Sequence, residues 1–324
     1  MKLSVAIAVL LFLRLGSAYA EEPQSAPGDS PTIVTDEAGQ PGENGDDSNE
    51  PPPITELPKP KAPVAAPPRA RLSNPTVRPR LRVKDDGDGP LEKTEDTVLD
   101  GRHWRIKTNQ GAVHVWVPPG YDRANAGTVI YVHGYWTDSD GAWKDHQLAR
   151  QFKMSHQNAL FVVPDAPSSR EMGVQWPALT DLRRAVQRAN IKMPDGPIVV
   201  MGHSGAFRTV MQWVDHKLVD QIILLDAMYA GEYAFDEFIK SGKRADDHKL
   251  IVIGAAVAQE SAAFAGKYKF AKAREGVPEN MSGFTKDERR AKLLYIRSQY
   301  DHYAIVKSKK VIPLLLKVTR LKPL

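Results

Sequence analysis

The chain contains 324 residues, carries a formal net charge of +5 and has no cysteine. The lack of cysteine excludes disulfides, thiol catalysis and cysteine-ligated metals. From residue 96 onward, charges of both signs are mixed rather than gathered on a basic face, which argues against nucleic-acid binding.

The first 20 residues have the pattern of a cleavable signal peptide. Lys2 precedes an unbroken apolar run over residues 5–13, and Ala18-Tyr19-Ala20 supplies small residues at both cleavage-site positions. A helix that spans a bilayer needs about 20 apolar residues, so this run is too short to be a membrane span. We therefore expect cleavage after Ala20 and a secreted or periplasmic protein.

Residues 21–95 have the composition of a disordered, Pro-rich linker. Residues 21–50 contain acidic but no basic side chains, whereas residues 59–84 contain basic but no acidic ones. Neither block offers enough apolar surface to offset the chain entropy lost on folding. A solvated spacer is the simpler interpretation, and weak binding of the basic block to anionic cell-envelope polymers is the functional alternative.

After residue 95, short apolar runs alternate with amphipathic stretches, and the first two runs flank the turn pattern Asn109-Gln110-Gly111. The predicted strands lie at residues 103–108, 112–118, 127–134, 159–165, 197–203, 221–227, 250–256 and 292–299, and predicted helices include residues 179–190, 206–215 and 233–241. Continuous apolar strands that alternate with helices are typical of a parallel sheet covered on both faces. The sequence therefore predicts an α/β domain over residues 96–324. Its eight-stranded, mostly parallel sheet should carry helices on both faces and an antiparallel hairpin at one edge.

The strongest local motif is Gly-His-Ser-Gly-Ala at residues 202–206, which follows an apolar run and precedes a predicted helix. A nucleophile elbow needs this setting, because strand and helix approach so closely that bulky groups two residues on either side of the serine would clash. Gly202 and Ala206 meet that requirement. Ser204 is the predicted nucleophile, and an ordinary tight strand-to-helix turn is the alternative.

With this motif, the sequence resembles the α/β-hydrolase superfamily, most closely its secreted esterase-like branches, over roughly residues 102–318. The resemblance rests on three segments, at residues 115–121, 129–134 and 202–206. It implies an α/β-hydrolase fold in which the loop after residue 134 forms part of the oxyanion hole. By the same resemblance, the backbone N–H groups of Tyr135 and Gly205 would hold the developing oxyanion, a task that suits donors fixed before the reaction.

In this superfamily, the acid and then the histidine of the triad follow the nucleophile in chain order. His302 lies shortly after the last apolar run, where the resemblance places the base. Two carboxylates remain open as the acid, Asp226 at the end of the run at 221–227 and Glu260 beyond the run at 250–256. Asp226 is preferred because it lies at a strand end on the sheet edge that carries the elbow, whereas Glu260 must reach back along a loop.

These residues predict a serine hydrolase that cleaves a carboxylic ester, small or polymer-linked, through an acyl-serine intermediate. An amidase or acyltransferase acting on cell-envelope polymers is the nearest alternative, and a catalytically inactive hydrolase-fold binding module is the alternative from another class. The histidines lack ligand spacing on a predicted helix and the sequence has no glycine-rich phosphate loop, so no metal and no cofactor are expected. Trp136, Trp143 and Trp176 lie in or near loops after predicted strands, where they would form an aromatic pocket wall or the rim of the core.

Overall fold

The computed structural model describes residues 90–242 and 247–324. The predicted signal peptide at residues 1–20 and most of the predicted linker at residues 21–95 lie outside the described residues. The first strand, β1, begins at Lys93, so the folded domain starts before residue 96. The sequence of β1 is Lys-Thr-Glu-Asp-Thr-Val, which has no apolar run that would predict a strand.

The described residues form one sheet of ten strands, in the spatial order β1-β2-β3-β5-β4-β6-β7-β8-β10-β9. The strands are Lys93–Val98 (β1), Gly101–Thr108 (β2), Gly111–Val117 (β3), Gly127–Val132 (β4), Ala159–Pro164 (β5), Ile198–His203 (β6), Val219–Leu225 (β7), Lys249–Gly254 (β8), Lys272–Glu275 (β9) and Leu293–Arg297 (β10). β1, β2 and β3 form an antiparallel meander, and β3 pairs antiparallel with β5. All the other pairings are parallel.

The sheet has ten strands rather than the predicted eight, and the two additional strands lie at its edges. The eight predicted strands are all present, and the two that sequence reasoning missed are β1 and β9. Both are largely exposed and rich in charged side chains. Charged side chains on an edge protect it from pairing with other chains, but they also remove the apolar pattern by which a strand is recognised.

Within the described residues, seven helices lie between strands β4 and β10 in chain order, and the last two follow β10. They are Ser139–Asp145 (α1), Leu148–Ser155 (α2), Leu179–Arg188 (α3), Phe207–Val210 (α4), Glu232–Ser241 (α5), Ala258–Gly266 (α6), Lys286–Arg290 (α7), Ala304–Lys307 (α8) and Val311–Leu316 (α9). The predicted helices at 179–190 and 233–241 correspond to α3 and α5. The predicted helix at 206–215 is too long, because α4 ends at Val210 and the chain turns to bury Trp213, whose indole N–H donates to the Trp176 carbonyl at 2.8 Å.

Two apolar layers cover the sheet, one on each face. Successive residues of the central strands alternate between them: Ile130 and Val132 of β4 pack in the layer that contains α3, α5 and α6, whereas Val129 and Tyr131 pack in the layer that contains α2 and α9. Burial on both faces explains why the sequence of β4 is apolar without alternation. Within residues 90–242 and 247–324, no helix has the length and apolar character needed to traverse a bilayer.

The order of the central strands creates a crevice. β5 lies on one side of β4 and β6 on the other, so the chain reverses its direction across the sheet between β5 and β6. A reversal of this kind opens a ligand-binding crevice at the carboxyl ends of the flanking strands. The loop after β4 and the turn after β6 both begin at this point.

Candidate active site

Ser204 lies on a strained turn at the carboxyl end of β6. Its φ of +53° is in the left-handed region, which costs a non-glycine residue about 1–2 kcal/mol. The turn is tight, because a Cβ atom added to Gly202 would lie only 2.8 Å from Cγ2 of Val210. A short helix, α4, follows at once. The motif at residues 202–206 therefore has the strand–turn–helix geometry of a nucleophile elbow.

Asp226 lies at the end of β7, the strand next to β6, and its side chain is fully buried. Its carboxylate accepts three backbone N–H groups, those of Ala255 (2.8 Å), Ala256 (3.0 Å) and Val257 (3.1 Å). Burial alone would raise the pKa of Asp226, but hydrogen bonds from the His302 side chain and these backbone groups outweigh it, so the pKa is lowered. Asp226 is therefore an anion at neutral pH.

His302 and Asp226 form a hydrogen-bonded pair, with 2.6 Å between Nδ1 of His302 and Oδ2 of Asp226. Because the carboxylate accepts, the neutral tautomer of His302 that fits this bond carries its proton on Nδ1 and has a lone pair on Nε2. Nε2 is thus in the form that a general base requires. Glu260 lies in the first turn of α6, where its side chain is exposed, so the geometry favours Asp226 over Glu260 as the partner of His302.

A serine on a strained elbow after a central parallel strand, followed in chain order by an acid at a strand end and by its histidine partner, is the arrangement of one superfamily. The chain has the α/β-hydrolase fold. In this fold, Ser204 and His302 line the same cavity of about 780 Å³. Among the described residues they share no hydrogen bond, and catalytic hydrogen bonds often tighten only when substrate binds.

His203 supports His302 from inside the fold. It is buried, and its Nε2–H donates to the backbone carbonyl of His302 at 3.0 Å. Burial lowers the pKa of His203 to about 3, so the ring stays neutral at physiological pH. Sequence reasoning missed this role, because the two residues lie far apart in the chain and no local pattern marks the contact.

The loop after β4 lies directly against the elbow. A Cβ atom on Gly134 would lie 2.7 Å from Cβ of Ser204, and a Cβ atom on Gly205 would lie 2.4 Å from the ring of Tyr135. The N–H of Trp136 is occupied, because it donates to the Ser168 carbonyl at 2.9 Å. The structure thus brings the two predicted oxyanion-hole residues, Tyr135 and Gly205, beside Ser204 in one cavity.

His133 of the β4 loop lies outside the cavity lining and is buried with both ring nitrogens engaged. Nδ1–H donates to the Gly134 carbonyl at 2.8 Å, and Nε2 accepts the N–H of Ala166 at 2.9 Å. The bond from Ala166 connects the loops after β4 and β5, and the bond to Gly134 fixes the ring within the first of them. They give the ring a structural role.

Arg208 of α4 fixes a second wall of the cavity. Its guanidinium donates to the Tyr135 hydroxyl (3.2 Å) and to three backbone carbonyls, those of Ser169 (3.2 Å), Arg170 (3.0 Å) and Met172 (2.8 Å). The elbow helix therefore holds both the oxyanion loop and the segment around residue 170. Sequence reasoning missed Arg208, since three of its four partners are backbone carbonyls, which any residue type supplies.

Aromatic side chains dominate the rest of the cavity lining. They are Tyr135, Trp136, Phe207, Tyr229 and Tyr303.

The sequence left Trp136, Trp143 and Trp176 open between the pocket wall and the rim of the core, and of the three only Trp136 lines the cavity, with 83% of its surface exposed. Trp143 instead stacks on His103 and His114 with ring centroids 4.6 and 5.1 Å away, and Trp176 is buried in the core. Within the described ranges, no group of three or more His, Asp or Glu side chains is placed to hold a metal ion.

The chain shares low similarity with several solved structures. No protein-family model and no curated protein sequence matches this chain. Among solved structures, an S-formylglutathione hydrolase from Agrobacterium tumefaciens is 14% identical, with a TM-score of 0.43 over 71% of this chain and 99% of that one. The feruloyl esterase module from Clostridium thermocellum is 14% identical, with a TM-score of 0.43 over 70% and 87% of the two chains. Est1E from Butyrivibrio proteoclasticus is 14% identical, with a TM-score of 0.40 over 69% and 96%.

Proposed function

We propose that this protein is a serine hydrolase that cleaves a carboxylic ester through an acyl-serine intermediate. One observation carries the proposal: Ser204 stands on a strained elbow in a cavity that His302 also lines, and the buried Asp226 holds His302 by a hydrogen bond. A strained backbone persists only where the surrounding structure enforces it, and such strain clusters at functional sites.

The proposed reaction begins with attack of Ser204 Oγ on the ester carbonyl. His302 Nε2 takes the hydroxyl proton and then delivers it to the departing alcohol, which leaves an acyl group on Oγ. A water molecule then loses a proton to His302 and attacks the acyl carbonyl, after which His302 returns the proton to Oγ. The buried Asp226 anion stabilises the imidazolium and keeps the proton on Nδ1 in the resting state.

The oxyanion formed in each step needs donors that are already in place. We assign the backbone N–H groups of Tyr135 and Gly205 to this role, because both residues flank Ser204 in the cavity. The Tyr135 ring rests on Gly205 and its hydroxyl is held by Arg208, so the two segments are fixed to each other before substrate arrives.

The proposal includes the N-terminal region. Residues 1–20 would direct export and be removed after Ala20, and the basic block of the linker would attach the enzyme weakly to anionic polymers of the cell envelope. The substrate is then a small or polymer-linked ester outside the cytoplasm.

The test is hydrolysis of p-nitrophenyl esters by the wild type, Ser204→Ala and a matched control, Ser282→Ala. Ser282 is exposed and lies outside the cavity lining. We expect Ser204→Ala to lose several orders of magnitude in kcat with little change in Tm, and Ser282→Ala to behave as the wild type. Parallel assays with an amide substrate and with an added alcohol acceptor separate hydrolysis of esters from amidase or acyltransferase activity. A wild type that turns over none of these substrates would support an inactive binding module instead.

A further inference from the structure

Two buried histidines lie in contact outside the cavity, near one edge of the sheet. His103 of β2 and His114 of β3 are 7% and 3% exposed. Nε2 of His103 lies 2.9 Å from Nδ1 of His114, and the angle between the two ring planes is 10°. Trp143 of α1 stacks on both rings. These imidazoles have no part in the mechanism described above.

A carboxylate lies at each end of this pair. Nδ1 of His103 is 2.6 Å from Oδ1 of Asp96, a residue of β1, and Nε2 of His114 is 2.8 Å from Oδ1 of Asp140, a residue of α1. Arg105 of β2 donates to both oxygens of Asp140 at 2.6 Å. The two carboxylates and the two rings thus form a row of three hydrogen bonds, which we call the histidine row. It connects β1 and α1 to the strands between them.

Three hydrogen bonds need three protons, and this count determines the charge of the row. Hydrogen bonding by Arg105 lowers the pKa of Asp140, and the side chain of Asp96 is 65% exposed, so both carboxylates are anions at neutral pH and only accept. Two neutral imidazoles supply one proton each. With both protons directed to the carboxylates, Nε2 of His103 and Nδ1 of His114 would oppose their lone pairs at 2.9 Å. The contact between the rings therefore requires a third proton.

We propose that the histidine row is a binding site for one proton, which makes His103 an imidazolium at neutral pH. His103 then donates through both ring nitrogens, to Asp96 and to His114. His114 remains neutral and donates through Nε2 to Asp140. Burial and the charge of His103 lower the pKa of His114 to about 4, which agrees with a neutral ring beside a cation.

The surroundings of the row fit one positive charge. The charged groups placed against the two rings are Asp96 from β1, Arg105 from β2 and Asp140 from α1, which together carry one negative charge. One bound proton makes the whole cluster neutral. The indole of Trp143 stacks on the ring of His103 with centroids 4.6 Å apart, a position in which its face attracts a cation.

The bound proton makes the stability of the fold depend on pH. A histidine in the unfolded chain titrates near about pH 6.5, whereas the folded row keeps its proton to a higher pH. The contribution of the row to the free energy of unfolding is therefore complete below about pH 6.5 and is lost as pH rises through the point at which the row releases its proton. The four residues of the row lie outside the cavity lining, so this property is independent of the proposed function.

The experiment uses Asp96→Asn, which removes the need for the third proton. The new amide is able to donate to Nδ1 of His103, and His103 then donates through Nε2 to His114. The bond from His114 to Asp140 is unchanged, so two neutral rings complete the row. The matched control is Glu92→Gln, the same acid-to-amide change just before β1, at a side chain that is 74% exposed. Urea unfolding of the full-length proteins is compared between pH 7 and pH 9.

We expect the equilibrium constant for unfolding of the wild type to rise about tenfold relative to that of Asp96→Asn over this range, because only the wild-type row has an additional proton to lose. Glu92→Gln should follow the wild type. The second readout is NMR of isotope-labelled histidine at pH 7. The wild type should show a ring with two N–H protons protected from exchange with water, and Asp96→Asn should lose it. Equal pH dependence in the wild type and Asp96→Asn, or a wild type without such a ring, would overturn the inference.

Discussion

Replacement of Asp226 by asparagine tests how the acid acts, because the amide keeps the shape of the carboxylate and changes only its charge and its donors. In the structure, Oδ1 accepts the N–H groups of Ala255 and Val257, and Oδ2 accepts the N–H of Ala256 and the Nδ1–H of His302. An asparagine can keep the first two bonds through its oxygen. Its NH₂ group, which only donates, then stands at the position of Oδ2 and faces two other donors, the N–H of Ala256 and Nδ1–H of His302.

The consequences follow from this conflict of donors. If His302 changes tautomer so that Nδ1 accepts from the amide, Nε2 carries the proton and is unable to take the one from Ser204. The same acid-to-amide change in a protease triad lowers kcat on the order of 10⁴-fold, and we expect a loss of that size here. The buried N–H of Ala256 stays opposed to a donor, which should destabilise the fold by about 1–3 kcal/mol and lower Tm by roughly 3–10 °C.

The assay measures kcat on a p-nitrophenyl ester together with the thermal melt of each variant. The matched control is Glu260→Gln, the same acid-to-amide change at an exposed carboxylate in α6, which should keep both its activity and its melt. A folded Asp226→Asn enzyme with more than about a tenth of wild-type kcat would refute the reasoning. So would a folded Glu260→Gln enzyme that has lost its activity.

Three further predictions concern the cavity wall, the buried histidines and the N-terminal region. Arg208→Met removes the donor that holds the segment around residue 170, so KM should rise about tenfold with a smaller change in kcat. Michaelis kinetics that show a large fall in kcat with an unchanged KM would contradict this. Burial lowers the pKa values of His114, His146 and His203 to about 4, about 4 and about 3, so these rings are neutral in the fold but protonated in the unfolded chain below about pH 6.5. Their contribution to the free energy of unfolding is complete above that pH and is lost as pH falls from about 6.5 to 4, at up to about 1.4 kcal/mol per pH unit for each histidine. Urea unfolding measures this, and an equal free energy of unfolding at pH 7 and pH 5 would disprove the prediction. Deletion of residues 1–89 should leave kcat/KM on a soluble ester unchanged, and a loss of activity or of the melting transition would show that this region contributes to the domain.

The central strands could be predicted because burial on both faces produces runs of apolar residues without interruption, as in β4 and β6. The same reasoning fails at the edges, where β1 and β9 pair through their backbones while charged side chains face water. Backbone pairing carries no residue-type signal. The helix predicted over residues 206–215 was too long for a related reason, since burial of Trp213 ends it and that contact is tertiary.

The elbow and the order of its partners could be read from the sequence because each depends on local shape: small residues around Ser204, and polar residues at strand ends. The supporting contacts could not. Arg208 and His203 act through backbone carbonyls that lie elsewhere in the chain. Only the folded arrangement places these atoms together.

A covalent acyl group on Ser204 is the central feature of the proposed mechanism. The most direct test mixes the wild type with a p-nitrophenyl ester, stops the reaction with acid during the burst, and locates the acyl group by peptide mass spectrometry. We predict that the peptide containing Ser204 carries the acyl group at the end of the burst and that Ser204→Ala shows neither burst nor adduct. Turnover of the ester with no acyl group on Ser204, or with undiminished kcat in Ser204→Ala, would contradict the account.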